Sequence, residues 1–257
     1  MTTVSQGFPP TKTSEDLLPL ISIITVVYND AGNIEQTIQS VIGQPYQQKE
    51  YIIIDGGSTD GTVEIIKKYE SHLSYWISEP DKGIYDAMNK GIDRAKGELI
   101  GIINSGDWYE ENIFNTIAKN YLATGSQQVI HGLIRNFLDE EFYSMVGNSI
   151  RRLRYDMIQH PTCFIPLMLY KTYGTYDLNY KYSADYDLIL RYVDQGIKFC
   201  FIEEPIVNFR LGGISSTAQA EKEMYKVRVK HHLISGTEGF LRITLVTLQS
   251  FIKKLLK

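Results

Sequence analysis

Several residues that could do chemistry in this chain directly follow short apolar segments. Residues 99–103 form an apolar run that is followed by Asn104, Ser105, Gly106 and Asp107. Such a run, with β-branched residues and no polar alternation, is typical of a strand buried on both faces. Ligands of open α/β sheets bind beyond the carboxyl ends of such strands. Asp107 could therefore bind a divalent cation, although these residues could also simply cap the next helix.

A second polar segment, residues 55–62, joins a predicted strand to a predicted helix and contains three glycines. Glycine lets the backbone approach a ligand closely, and N–H groups at a helix N-terminus favour phosphate oxygens. Asp55 could accept hydrogen bonds from a base or a ribose. The alternative is a tight turn in which Asp60 is the N-cap, and this segment alone leaves both interpretations open.

The elements that must position these residues alternate along the first half of the chain. Apolar runs at 21–28, 51–54, 75–78 and 99–103 predict strands, and apolar residues at helical spacing lie between them. This alternation predicts βαβ units and a mostly parallel sheet. The carboxyl ends of parallel strands meet at one edge, so we expect Asn29, Asp55, Glu79 and Asp107 to lie along it.

The second half of the chain has a weaker pattern. The spacing predicts helices at 112–121, 185–195, 218–234 and 240–256, and strands at 129–131 and 197–202. Residues 132–165 mix short apolar runs with charges, and no element is predicted for them. Residues 1–19 carry three prolines and are expected to be a flexible lead-in.

Composition excludes some classes of protein. The net charge of −4 argues against a general nucleic-acid binder. Two cysteines, Cys163 and Cys200, have no metal-like spacing and fit a reducing compartment. The sequence shows neither a signal-peptide pattern nor an apolar run long enough to span a bilayer, so we expect a cytoplasmic protein.

Four segments together resemble the inverting glycosyltransferases of family 2, most closely those that make bacterial surface and capsular polysaccharides. The segments are TVVYN at 25–29, IIDGGSTDGT at 53–62, EPDKGIYDAMNKGI at 79–92 and GIINSGDWY at 101–109. The resemblance implies the α/β GT-A fold, with a Rossmann-like, mostly parallel central sheet flanked by helices. It implies a domain at 20–216, with a nucleotide-binding half at 20–107 and an acceptor half at 108–216. Residues 217–257 would form a C-terminal helical extension.

The resemblance also implies a nucleotide site and a metal site. The family's metal-binding acid matches Asp107, for Mn²⁺ or Mg²⁺, although Asn104 and Gly106 replace two further acids of that motif. The family's basic residue in the third helix is Met88 here, so Lys82 or Lys90 would have to meet the diphosphate. The residues expected to bind the nucleotide are Thr25, Val27, Asn29, Asp55, Gly57, Ser58, Lys82, Asn104 and Ser105.

The family's catalytic base matches Asp185, with Ala184 in place of a preceding acid. Without the resemblance, a helix cap paired with Asp187 would be the favoured interpretation of Asp185. Three further residues are candidates for contacts with the donor or the acceptor, namely Asp86, His160 and Arg210. His160 precedes a proline, which predicts an extended conformation.

The implied reaction moves a sugar from a nucleotide-diphosphate donor, UDP favoured and GDP possible, to a glycan or lipid-linked acceptor in polysaccharide biosynthesis. The replaced acids at 104, 106 and 184 motivate an alternative, a non-catalytic nucleotide-sugar-binding or scaffold protein of a glycan assembly complex. A nucleotidyltransferase is a third hypothesis, but the glycine- and basic-rich loop that it usually needs near its N-terminus is not found.

The tail from Phe240 has a broad apolar face, and Arg242, Lys253, Lys254 and Lys257 supply positive charge. These features suit an anionic membrane surface, which would place the protein peripherally on the inner face of the cell membrane. Packing against the domain, or against a second copy in a homo-oligomer, is the alternative.

Overall fold

The first half of the chain folds as alternating strands and helices, as its apolar pattern predicts. The computed structural model describes residues 18–125, 127–138, 140–212 and 217–255, so most of the predicted lead-in lies outside the described residues. The elements of this half are β1 (Ile21–Val27), α1 (Ile34–Ile42), β2 (Lys49–Asp55), α2 (Thr62–Lys68), β3 (Tyr75–Ser78), α3 (Ile84–Arg94) and β4 (Leu99–Asn104).

The second half adds five strands and five helices within the described ranges. They are β5 (Trp108–Tyr109), α4 (Ile113–Thr124), β6 (Gln128–Leu138), β7 (Glu141–Val146), β8 (Phe164–Pro166), α5 (Leu167–Tyr173), α6 (Ala184–Asp194), β9 (Lys198–Arg210), α7 (Ala218–Lys230) and α8 (Gly236–Leu255). Of the helices so described, none combines the length and the apolar character that crossing a bilayer requires.

All described strands join one sheet in the order β3-β2-β1-β4-β8-β6-β9-β5, with β7 paired to β6. Strand β1 runs parallel to β2 and β4, and β2 runs parallel to β3. Strand β6 runs parallel to β9, whereas β8 is antiparallel to both β4 and β6. The longest pairings are therefore parallel, and the predicted α/β class with a mostly parallel sheet is confirmed.

The sheet has an apolar layer on each face because its central strands are apolar at successive positions. Ile24 and Ile54 pack on the face that also buries Met88 of α3. Ile23 and Ile53 pack on the opposite face, against Phe114 of α4. Burial on both faces explains why these strands have no polar alternation.

The apolar pattern of the sequence predicts the long strands of the second half least well. Strand β6 continues to Leu138 and β9 to Arg210, well beyond the predicted 131 and 202, and α5 and β7 are not predicted. The outer part of β6 is only half-buried and its residues mix apolar and polar types, so no clear period is visible. Strand β9 matters for the site because its last residue is Arg210.

Candidate active site

A cavity of about 560 Å³ opens beyond the ends of β1, β4 and β9. It is the expected place for a ligand in an α/β sheet, since the carboxyl ends of the strands meet there. Six predicted site residues line this cavity, namely Asn104, Ser105, Asp107, His160, Asp185 and Arg210. They come from four separate regions of the chain, so the fold brings them together.

Asp107 lies at the floor of the cavity and is only 4% exposed. Its Oδ1 accepts a hydrogen bond from the backbone N–H of Arg210, 3.0 Å away. Thr37 fixes the same turn, because its hydroxyl donates to the Asp107 carbonyl at 2.7 Å and accepts from the Gly106 N–H at 3.1 Å. Burial raises the pKa of Asp107 to about 7, although the N–H and the charge of Arg210 act in the opposite direction. The carboxyl group of Asp107 is thus held in a fixed position and has little contact with solvent.

Asn104 and Ser105 lie beside Asp107 with different hydrogen-bonding roles. The Oδ1 of Asn104 is buried and accepts no hydrogen bond within the described residues. Ser105 donates its hydroxyl proton to Asp30 Oδ2 at 2.6 Å, and Asp30 also accepts from the Asn33 side chain at 2.6 Å. Buried polar atoms normally have partners. The unpartnered oxygen of Asn104 therefore indicates a ligand in this cavity.

Asp185 also lines the cavity, lies in the first turn of α6, and is 8% exposed. The hydroxyl of Tyr85 donates to Asp185 Oδ1 at 2.9 Å. The N-cap position belongs to Ser183, whose side chain makes no capping bond. Asp185 is therefore a cavity-facing carboxylate and does not cap the helix.

Asp187, two residues further along α6, has a structural role and faces neither cavity. It is fully buried, and it accepts hydrogen bonds from Arg191 at 2.9 Å, Lys230 at 2.8 Å and His231 at 3.0 Å. Burial would raise the pKa of Asp187, but the bonds from His231, Lys230 and Arg191 outweigh it and lower the pKa to about 2. Asp187 is therefore a charged anchor between α6 and α7.

His160 lines the cavity, and its Nδ1 is buried without a partner among the described residues. Burial lowers the pKa of His160, while Asp185 acts in the opposite direction. His160 is not extended, contrary to the expectation from its proline neighbour, because it begins a 3₁₀ turn, His160–Thr162. The turn forms because the N–H groups of Thr162 and Cys163 bind the carbonyls of Gln159 and His160. A neutral imidazole thus faces the ligand space.

Arg210 is held in place on several sides. Its Nε donates to the Gly106 carbonyl at 3.2 Å, and its Nη2 donates to Gln36 Oε1 at 2.7 Å. It also pairs with Glu140, and its guanidinium lies 5.4 Å from the centroid of the Trp108 ring. A fixed cation therefore lies against the loop that carries Asp107.

The turn after β2 forms a second polar region, outside the cavity. Asp55 is fully buried, and it accepts from the backbone N–H groups of Gly57 at 3.1 Å and Ser58 at 2.9 Å and from Ser78 Oγ at 2.5 Å. The Ser58 hydroxyl in turn accepts from the N–H of Asn29 at 2.7 Å. Asp55 therefore organises the turn from within.

Besides Asn29, Asp55, Gly57 and Ser58 of this second region, four more predicted site residues lie away from the cavity. Thr25 is fully buried with its hydroxyl 2.9 Å from that of Tyr51, and Val27 is 5% exposed, so both side chains belong to the core. Lys82 is exposed on the loop before α3, and its N–H donates to Asp86 at 3.0 Å. Neither Lys82 nor Asp86 lines the cavity. Lys90, the alternative cation, pairs with Glu79 at 2.8 Å instead.

Sequence reasoning missed several residues of the site. Asp30 and Lys181 line the cavity, and Tyr85 binds Asp185. Tyr28 belongs to the 25–29 segment that the resemblance places at the nucleotide pocket; it is 62% exposed beside the turn of Asp55, where its ring lies 3.2 Å from the position a Cβ on Gly56 would occupy. Asp30 could have been found, since it follows the apolar run of β1. No sequence signal marked Lys181 or Tyr85.

Comparisons with known proteins agree with this architecture. Residues 22–178 match a family model described as "Glycosyl transferase family 2". An uncharacterized glycosyltransferase of Mycobacterium tuberculosis is 32% identical over 181 residues, which cover 67% of this chain and 68% of the relative. A PGL/p-HBAD biosynthesis glycosyltransferase of Mycobacterium bovis is 26% identical over 214 residues, covering 81% and 83%.

Solved structures show the same fold at low sequence identity. TarS of Staphylococcus aureus, solved in complex with UDP-GlcNAc, superposes with a TM-score of 0.66 at 16% identity, covering 88% of this chain and 71% of that one. The mannosyltransferase PcManGT of Pyrobaculum calidifontis, in complex with GDP-Man and Mn²⁺, also gives 0.66 at 16% identity, covering 91% and 70%. These neighbours have the GT-A fold, which confirms the fold class expected from the sequence.

Proposed function

The chain belongs to glycosyltransferase family 2, and we propose that it transfers a sugar from a nucleoside-diphosphate donor to a hydroxyl group of a glycan or lipid-linked acceptor, with inversion. One observation carries this proposal. Asp107 and Asp185, which come from different elements, both line the same cavity. One carboxylate is placed to serve the donor diphosphate and the other to serve the acceptor hydroxyl. We further propose 20–216 as the transferase domain and 217–257 as its extension.

The charges of the cavity favour a diphosphate near Asp107. Arg210 and Lys181 are cations that line it within the described part of the chain. Tyr28, Asn29 and Ser58 lie at the edge formed by β1 and β2, where a base could stack on the exposed ring. UDP is the favoured nucleotide because TarS was solved with UDP-GlcNAc, and the GDP-Man complex of PcManGT keeps guanosine as the second choice.

The residues around Asp107 fit a divalent cation that is shared with the donor. The described residues contain no group of three or more His, Cys, Asp or Glu side chains able to hold an ion alone. Mg²⁺ and Mn²⁺ accept one or two protein oxygens when phosphates and water complete the shell. Asp107 and the unpartnered Asn104 Oδ1 would supply those oxygens. When bound, the ion would neutralise charge on the departing diphosphate.

The proposed reaction is a single displacement. A lone pair of the acceptor hydroxyl attacks the anomeric carbon, the bond from that carbon to the diphosphate oxygen breaks, and the acceptor proton goes to Asp185. Tyr85 holds Asp185 through Oδ1, which leaves Oδ2 for the proton. Arg210 stabilises the developing charge on the diphosphate.

A smaller cavity of about 290 Å³ marks the proposed acceptor side. It lies between α6 and α7 and shares Met157, Tyr182 and Asp185 with the larger cavity. Asp185 therefore stands where the two cavities meet, whereas Asp107 lines the larger cavity and not the smaller one. An acceptor in the smaller cavity would present its hydroxyl to Asp185 from the side opposite the diphosphate, as inversion requires.

Helix α8 suits contact with an anionic membrane that carries a lipid-linked acceptor. Its exposed apolar residues span an arc of about 140° at 100° per residue. They are Phe240, Leu241, Leu245, Leu248, Phe251 and Ile252. Arg242 and Lys253 lie on the polar side of the helix, about 60° and 80° beyond one edge of this arc, while Lys257 and the side chain of Lys254 lie outside the described residues. Co-sedimentation should show binding to phosphatidylglycerol vesicles, weaker binding to phosphatidylcholine, and loss in Leu245→Glu. A dimer lost in the same variant, without vesicle binding, would contradict membrane contact.

A thermal-shift panel of UDP-, GDP- and dTDP-sugars, with and without Mn²⁺, tests the donor and the metal. A ligand at 100 times its Kd stabilises the fold by about 2.7 kcal/mol, which is roughly 5–10 °C for a chain of this size. The anomeric configuration of the transferred sugar, read by proton NMR, tests inversion. Binding without any hydrolysis or transfer would favour the non-catalytic scaffold. A panel without any shift would contradict the nucleotide-sugar site.

A further inference from the structure

Helix α7 contacts the entry of the helix that carries Asp185 through one carboxylate, that of Glu223. Its Oε1 accepts the N–H of Lys181 at 3.0 Å. Its Oε2 accepts the N–H groups of Tyr182 at 2.6 Å and Ser183 at 2.8 Å. Three consecutive backbone donors therefore converge on a side chain about 40 residues further along the chain.

This carboxylate binds the chain just ahead of α6, because two of its donors, Lys181 and Tyr182, precede the helix and the third, Ser183, is at the N-cap. The first N–H groups of a helix have no partner within the helix, and a side chain normally satisfies some of them. Ser183 is at the N-cap position, yet its hydroxyl makes no capping bond. A negative charge at this end is also favoured by the helix dipole. Glu223 therefore fixes the conformation with which the chain enters α6.

The segment fixed in this way forms part of the site. Lys181 and Tyr182 line the larger cavity, and Tyr182 and Ser183 line the smaller one. Asp185 follows two residues after Ser183, in the first turn of the helix. A shift of this entry would move the carboxylate relative to Tyr85, its hydrogen-bond donor from α3.

We propose that Glu223 is a positioning residue that holds Asp185 in register with the donor and the acceptor. This inference rests on the proposed role of Asp185 as the base. The extension is therefore part of the catalytic apparatus, although residues 217–257 lie outside the 22–178 that match the family model. Lys230 and His231 hold Asp187 further along α6, so Glu223 has the separate task of fixing the entry.

Variants at Glu223 test the inference in the full chain. Glu223→Ala removes all three hydrogen bonds. Glu223→Gln keeps the size but turns one oxygen into an NH₂ group that cannot accept, so its effect should be smaller. Gln219→Ala, an exposed position of α7, and Glu204→Gln, an exposed glutamate of β9, are the controls. The measurements are hydrogen exchange at residues 181–185, thermal stability, and hydrolysis of the nucleotide sugar that the thermal panel selects.

We expect amide exchange at 181–183 to rise at least tenfold in Glu223→Ala, with Glu223→Gln between this variant and the wild type. The kcat for donor hydrolysis should fall at least tenfold, and any rise in the KM for donor should be clearly smaller, because Asp107 and Arg210 are untouched and only the backbone of Lys181 is released. Unchanged exchange, unchanged kcat, or a matching rise in KM would each overturn the inference. Hydrogen exchange is measured without a nucleotide sugar. If the wild type does not hydrolyse the donor, the proposed reaction is contradicted, but the exchange data still test whether Glu223 fixes the entry of α6.

Discussion

Replacing Asp185 by Asn separates catalysis from binding more sharply than any other single change in this site. Asn keeps an oxygen that can accept the hydrogen bond from Tyr85, so the local packing should persist. It cannot take the acceptor proton. A general base contributes about 10²–10⁴ in rate, which is roughly 2.7–5.5 kcal/mol of transition-state stabilisation. We therefore expect kcat for hydrolysis and transfer to fall by about that factor.

Donor binding should survive in the Asp185→Asn variant, because Asp107 and Arg210, the residues proposed to meet the diphosphate, are unchanged. The assay is donor hydrolysis under saturating nucleotide sugar, combined with the donor-induced thermal shift. A variant that keeps more than a tenth of the wild-type kcat would refute the assignment of Asp185 as the base. A variant that loses the thermal shift would place Asp185 in donor binding instead.

Asp187→Asn supplies the contrast, since it changes the same atoms two residues away on the same helix. Asp187 is fully buried and holds Arg191, Lys230 and His231. Removing one partner of a buried charged network costs about 3–5 kcal/mol, or roughly 6–20 °C in Tm here. We expect Asp187→Asn to lower Tm strongly, whereas Asp185→Asn should leave it within a few degrees.

Three further predictions concern other buried groups. Asp107→Asn should abolish the Mn²⁺-dependent part of the donor-induced thermal shift, as melts with and without Mn²⁺ will show. The bond to Asp187 raises the pKa of His231; burial acts in the opposite direction, and Asp194 raises the pKa further. The ion pairs of His231 therefore stabilise the fold fully below its unfolded pKa of about 6.5, and this stabilisation is lost as the pH rises through the folded pKa. Urea unfolding should show that His231→Asn costs roughly 1.5–3 kcal/mol at pH 6 and less at pH 9, while the exposed control His232→Asn changes little at either pH. Glu50→Ala should lower stability by roughly 2–3 kcal/mol in the same assay, because it removes the acceptor of the buried Ser22 hydroxyl and of the Lys96 N–H.

The first half of the fold could be predicted because local pattern and tertiary structure agree there. Each strand of this half is a short apolar run, and each is followed by a helix with a clear apolar face. Asp107 could be placed for the same reason, since the end of β4 defines its position. The strands β6 and β9 pair over a long distance in the chain, and their half-buried outer residues carry no clear period.

The contacts within the site escaped prediction because they join distant segments of the chain. Tyr85 and Asp185 are 100 residues apart, and Arg210 and Asp107 are 103 apart. Thr25 was predicted to bind the nucleotide because its motif lies next to the site. Its own side chain points into the core instead. A motif locates a loop, but burial decides which of its side chains meet a ligand.

The bond between Arg210 and Asp107 can form only late in the synthesis of the chain, because β9 supplies Arg210. A ribosome completes the nucleotide-binding half long before it adds β9, which pairs with both β6 and β5. Until then, β6 presents an unpaired edge and Asp107 has no Arg210 N–H to bind, so the nascent chain carries a surface prone to misassociation. A chain that ends after α6 would lack β9, so its β6 edge would stay unpaired permanently. Such fragments should therefore collect as aggregates and should not persist as a smaller sugar-nucleotide binder.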